Sequence, residues 1–240
     1  MSASFSNAAR NLRQIGSSPV SWALALTILA IHWGVSAAGG PGRLPAQAWF
    51  ETFALSRTAV LNGEFWQVLS YGFLHGSWLH ALLNAVFVLV IGSRIEHMAG
   101  RSVVLATTLA GVLGGAAGHL ALAAGGPGAP LLVGLSGGCM ALLLLLTTLS
   151  PQSRMMPIPV SAKSLGLGIL AAELILALTQ LVMEIPGLFG FTIGNACHFG
   201  GGLAGWLCGR WLLRPRITLD RLRRDRARRE AHRDARTRSD

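Results

Sequence analysis

Long runs of apolar residues, broken by short polar stretches, occupy most of the chain. Six such segments can be read, at 20–38, 79–95, 103–124, 131–149, 165–183 and 191–213. An α-helix needs roughly 20 apolar residues to cross the hydrocarbon core. The pattern therefore predicts an all-α, polytopic membrane protein with six transmembrane helices. The second segment is short, because its clean apolar run ends near Ile91, ahead of Arg94 and Glu96. The first has Arg10 and Arg13 before it and Ser36, Ala37 and Ala38 after it, features shared with signal peptides. Its run is longer than the usual apolar core of such a peptide, and its removal would leave an odd number of spans, so it reads as a retained helix. The long connection 39–78 contains Trp49, Phe50, Phe53, Phe65, Trp66, Phe73 and Trp78. Aromatic rings favour the headgroup level, so this loop is expected at the outer interface, with a short amphipathic piece at 46–61 resting there.

Composition agrees. Hydrophobic residues make up 52% of the 240 positions and charged residues only 12%, with mean hydropathy +0.52, whereas soluble domains carry about 25% charged residues. The net charge is +10, and residues 214–240 contribute eleven Arg and five acidic groups to it, a net of +6. Directly after a membrane helix, that tail reads as a cytoplasmic anchor on anionic lipid and not as a nucleic-acid site. With both termini inside, the cytoplasmic side holds Arg10, Arg13, Arg94, Arg101, Arg154, Lys163 and the tail, against Arg43 and Arg57 outside. The positive-inside rule thus places both termini in the cytoplasm. Three regions follow: a cytoplasmic N-terminal segment 1–19, a membrane domain 20–213, and a basic tail 214–240, disordered or partly helical. Cys139, Cys197 and Cys208 fall in apolar segments and suggest neither disulfides nor a zinc motif.

In this orientation the second, fourth and sixth segments all enter from the outer face. Ser136 then lies about 8 Å past Leu131, His198 about 10 Å past Phe191 and Asn84 about 8 Å past Leu79, at 1.5 Å per residue. Three helices place polar groups on one level. Gly201, Gly205 and Gly209 form a small-residue stripe after His198, answered by Gly134, Gly137 and Gly138 around Ser136. Such stripes let backbones approach closely, which brings the serine and histidine within reach of each other.

A Ser hydroxyl becomes a nucleophile when a positioned imidazole takes its proton. Attack on a peptide carbonyl also needs donors for the oxyanion. His80 and Asn84, four apart, face the same way and can supply them, together with the Ser136 backbone N–H. No Asp or Glu is obviously placed to orient His198, so a Ser–His dyad is expected, with no metal or organic cofactor. Glu173 lies near the middle of the fifth segment, with no role assigned by this reading.

The Gly134-Leu135-Ser136-Gly137 run, the Cys197-His198-Phe199-Gly200-Gly201 run with Gly205 and Gly209, and the stretch from Phe73 through His75, His80 and Asn84 together resemble the rhomboid intramembrane serine proteases, over about residues 63–209. The resemblance implies the six-helix bacterial fold, with Ser136 as nucleophile, His198 as general base, and His80, Asn84 and the Ser136 amide around the oxyanion. It matches Trp66 to the family's membrane-inserted first loop, His75 to its internal loop histidine, and Glu96 with Gly100 to the turn after the second span. It implies substrates that are single-span membrane proteins, cleaved near the outer face after entering past the fifth helix. Two positions depart. Gln67 stands where the family often has Arg, which removes a charged donor from the first loop. Met140 stands where an aromatic commonly stacks on the imidazole, though a thioether also packs against a ring edge.

The resemblance, the compact layout and the lack of a targeting extension imply a bacterial cytoplasmic (inner) membrane. Membrane lipids are expected partners, nucleic acid is not, and the oligomeric state is left open. Two other classes remain: a non-catalytic rhomboid-like protein that binds membrane helices, and a small transporter built around Glu173.

Overall fold

The computed structural model describes residues 13–40, 43–122, 131–153, 160–180, 182–183, 194–214 and 219–237. The glycine-proline turn at 125–130, Arg10, Arg154 and Phe191 lie outside them. The described residues form α1 (Pro19–Ala37), the short α2 (Ala46–Phe53), α3 (Arg57–Leu61) and α4 (Gln67–Ser70), then α5 (Trp78–Ala99), α6 (Arg101–Leu122), α7 (Ser136–Leu149), α8 (Ala162–Gln180), α9 (Asn195–Leu212) and α10 (Leu219–Thr237). The fold is all-α, as the apolar pattern predicts. One antiparallel bridge pairs Leu55 with Leu132. Helices α1, α5, α6 and α8 are each long and apolar enough to cross a membrane. Helix α7 has 14 residues and α9 has 18, rich in glycine. The chain divides into two units, Met1–Arg210, which contains the bundle, and Trp211–Asp240, which contains α10. Helix α10 is polar throughout, with Arg226 paired to Glu230 one turn away.

The second span is longer than its apolar run. It continues through a π-turn, Val88–Gly92, to Ala99. Its charged end has a structural use. Both oxygens of the Glu96 carboxylate accept from the start of α1, from Val20 N–H (3.2 Å), Ser21 N–H (3.0 Å) and Ser21 Oγ (2.9 Å). The first N–H groups of a helix lack internal partners and carry partial positive charge, so a carboxylate there satisfies donors and complements the dipole. Gly100 (φ +98°) then turns the chain into α6 in a conformation that L side chains resist.

At the other end, the connection 39–78 forms α2, α3 and α4 in place of one continuous amphipathic piece. Trp49, Phe53, Phe65, Trp66, Phe73 and Trp78 are exposed on it, as an interfacial loop requires. Gln67 braces this loop, although it carries no charge. It is fully buried. Its Oε1 accepts from Ser56 N–H at 2.9 Å, and its Nε2 donates to the Glu64 carboxylate at 3.0 Å and to the Thr52 carbonyl at 3.3 Å. Trp66 Nε1 also donates to Thr52 O, and Ser70 Oγ to Phe53 O. Gln67→Leu strands these buried groups, each at a cost of about 1–3 kcal/mol. The variant should melt several degrees lower in detergent and be cut faster by added protease within 39–78. Unchanged melting would show that the amide is not a brace.

The bundle is centred on α7, whose residues Ala141 to Leu146 are almost wholly buried. Helix α6 packs along it closely, since a Cβ on Gly111 would overlap the Ala141 side chain. Helix α9 packs on both. Gly200 meets the Gly114 carbonyl of α6, while Gly201 meets Gly137 and Gly205 meets Ala141 of α7, backbone against backbone. The glycine stripe expected to allow close approach does so.

Candidate active site

Ser136 does not sit inside a helix that begins at Leu131. Residues 131–135 run extended and turn, with Leu132 exchanging both backbone hydrogen bonds with Leu55, each 3.0 Å. Gly134 then adopts φ +114° and donates its N–H to the Tyr71 carbonyl at 2.9 Å. This left-handed residue ends the extended run, so α7 starts at Ser136 itself. The first intrahelical bond is from Cys139 N–H to Leu135 O. The Ser136 N–H therefore precedes the ladder and has no acceptor within its own helix, and the positive end of the helix dipole lies at the hydroxyl.

His80 and Asn84, one turn apart on α5, converge on this turn. A Cβ at Gly134 would lie 2.6 Å from the His80 ring and 3.5 Å from Asn84 Nδ2. Only glycine satisfies both the backbone angle and the space here. The Asn84 amide is fixed from two sides. Its Nδ2 donates to His75 Nε2 at 2.9 Å, and its Oδ1 accepts from the Cys139 thiol at 3.6 Å. Nδ2 carries a second hydrogen for another acceptor.

His75, fully buried, is the post that holds this arrangement. Its Nδ1 lies 3.3 Å from the Phe73 carbonyl, and its Nε2 faces both Asn84 Nδ2 and, at 3.5 Å, the Leu135 N–H. One tautomer satisfies all three contacts: Nδ1–H donates and Nε2 accepts. Burial, and after it the neighbouring His80 ring, hold His75 down at about 3, so it stays neutral and able to accept at ordinary pH. Tyr71 is a second buried post. Its hydroxyl donates to Val112 O of α6 at 2.7 Å, while its carbonyl holds Gly134.

His198 reaches the same place from α9. Cys197 Sγ lies 3.0 Å from where a Gly137 Cβ would be, and Gly201, one turn on, abuts the Gly137 backbone. Ser136 and His198 thus flank the contact between α7 and α9, and both are half-buried. Among the described residues, Ser136 Oγ accepts and donates no hydrogen bond, and the His198 ring makes one, to Glu173. His198 Nδ1 lies 3.2 Å from Glu173 Oε1. The expectation that no carboxylate stands near His198 is therefore corrected. Apolar periodicity does not give the rotation of α8, which is uniformly hydrophobic around Glu173. Its packing does: Leu170 touches the position of Gly202 on α9, and Glu173 lies one turn beyond on the same face.

Of the four residues singled out in the sequence, Ser136 is the first of α7, His80 and Asn84 lie against the Gly134 turn that precedes it, and His198 stands on α9 between two residues that meet Gly137. Tyr71, Cys139 and the carboxylate of Glu173 were not foreseen there. The only available signals were a solitary Tyr in the chain and an acid in a membrane helix, which is costly unless it finds a partner. Among the described residues no group of three His, Cys, Asp or Glu side chains is arranged to hold a metal ion.

A family model described as Rhomboid domain matches residues 62–215. The chain is also similar to RHOMBOID-like protein 5 of Arabidopsis thaliana, at 31% identity over 164 residues, which are 68% of this chain and 49% of that protein. It spans about half the length of that relative.

Proposed function

Because the chain belongs to the rhomboid family and is a membrane protein, we propose that it is an intramembrane serine endopeptidase acting on single-span membrane proteins near the outer face. The observation that carries this reading is the placement of Ser136 as the first residue of α7, where Gly137 meets Cys197 and Gly201 on either side of His198. In the proposed reaction His198 Nε2 takes the Ser136 proton as Oγ attacks the scissile carbonyl, then delivers it to the leaving amine. The Ser136 N–H, Asn84 Nδ2 and the His80 ring are the donors for the developing oxyanion. Water completes hydrolysis of the acyl-enzyme, and no metal or organic cofactor enters. The same reading places both termini in the cytoplasm, the protein in a bacterial inner membrane, and the basic tail against anionic lipid.

The test is cleavage in vesicles. Purified protein is reconstituted with a single-span substrate carrying small residues near its outer end, and the products are located by mass spectrometry. The reading expects one cut near that end. Asn84→Ala should lower kcat by about 10²–10³-fold, the effect of losing one oxyanion donor, with KM changed little. A loss confined to KM argues against the oxyanion role. A second reading, a rhomboid-like protein that binds membrane helices without cutting them, is favoured by the lack, among the described residues, of a hydrogen bond on Ser136 Oγ. It expects substrate capture with no product.

A further inference from the structure

We infer that Glu173 is a positioning residue for His198, fixing the tautomer and the orientation of the imidazole; as a statement about catalysis this rests on the proteolytic reading above. Glu173 is the one acidic residue lying within the helices α6, α7, α8 and α9 themselves. Its carboxylate is 17% exposed and the His198 side chain 22%, with 3.2 Å between Oε1 and Nδ1. The other oxygen, Oε2, is buried and has no hydrogen-bond partner among the described residues, so the polar capacity of the group is spent mainly on the imidazole. The placement is set by packing. Gly166 sits against Thr147 of α7, Leu170 against Gly202 of α9, and Glu173 follows on the same stripe at the next turn.

With Oε1 accepting from Nδ1–H, Nε2 is left unprotonated. That is the nitrogen a general base needs free. When Nε2 takes the Ser136 proton, the ring becomes cationic beside the carboxylate. The Nδ1 proton stays on Nδ1, and the carboxylate gains none. When the C–N bond breaks, the Nε2 proton leaves with the amine and the ring returns to neutral. Glu173 touches no substrate in this scheme and acts only through His198.

Removing the orienting carboxylate of a fully buried triad lowers kcat by about 10⁴-fold. Here the group is partly open to solvent, so Glu173→Gln is expected to lower kcat by about 10²-fold, with KM within about twofold of wild type. Fluorophosphonate labelling of Ser136 should slow by a similar factor while reaching the same end point. Glu173→Asp should recover part of the rate, and Glu173→Leu should recover none. A ¹⁵N spectrum of histidine-labelled protein gives a readout free of catalysis: the His198 signals should report Nδ1–H in wild type and a mixture of tautomers in Glu173→Leu. Equal kcat and equal labelling rates in wild type and Glu173→Gln would overturn the inference, as would a His198 tautomer unmoved in Glu173→Leu. A wild type that neither cleaves nor labels, yet shows the tautomer shift, would sink the proteolytic reading and leave the positioning contact standing.

Discussion

Ser136→Ala and His198→Ala should each reduce cleavage of a reconstituted single-span substrate by about 10⁵–10⁶-fold, below detection in most assays. In serine hydrolases, loss of either nucleophile or base costs nearly as much as loss of both, because the two act as one unit. The double variant should therefore be no worse than either single one. Both side chains are only half-buried, and among the described residues the one hydrogen bond either makes to another helix is that of His198 to the partly exposed Glu173. Melting in detergent should move by less than a few degrees. Turnover retained in either folded variant would reject the mechanism.

Gly205→Ala should have the second-largest effect, and through packing alone. A Cβ there would overlap the Ala141 carbonyl and lie 2.5 Å from the Ala141 Cα. Backbone cannot step aside as a flexible side chain does, so α9 must move off α7. Overpacking of this kind costs about 1–3 kcal/mol. The functional loss should be larger than the stability loss suggests, because displacing a reacting group by about 1 Å can cost about 10²-fold in rate. Gly168→Ala on α8 is the matched control. Nothing lies within 4 Å of a Cβ at that position, so alanine there should leave cleavage unchanged and raise stability slightly, by up to about 1 kcal/mol. The expected readouts are kcat and apparent Tm of both variants. Equal behaviour of the two would show that the contact between α7 and α9 does not set the site.

The sequence displayed the spans because membrane burial needs long apolar runs, and it displayed the α7–α9 contact because close approach needs glycine at intervals of four. Ser136, His198 and Asn84 were legible as polar residues at matching distances from the starts of three apolar segments, and His80 as the residue one helical turn before Asn84. The start of α7 was not. Leu131 to Leu135 are as apolar as any helix, and only the pairing of Leu132 with Leu55 and the positive φ of Gly134 convert them to an extended approach. The charged end of α5 was read as the limit of a span because Arg94 and Glu96 interrupt the apolar run. The helix continues because Glu96 finds the unsatisfied amides of α1. Gln67 shows the limit of reasoning from a missing charge: a neutral amide, placed against two carbonyls, a carboxylate and an N–H, braces the loop instead. Glu173 was visible, but its partner was not, since a rotation of α8 about its own axis leaves no trace in a uniformly apolar segment.

The central claim is that the Ser136 hydroxyl is activated by the His198 imidazole. Intact-mass and peptide analysis after exposure to a fluorophosphonate measures this most directly. The account predicts a single phosphonyl adduct on Ser136 in the wild-type protein, absent from Ser136→Ala and slowed by orders of magnitude in His198→Ala. A folded wild-type protein that stays unmodified, or an adduct that forms equally fast without His198, would contradict it.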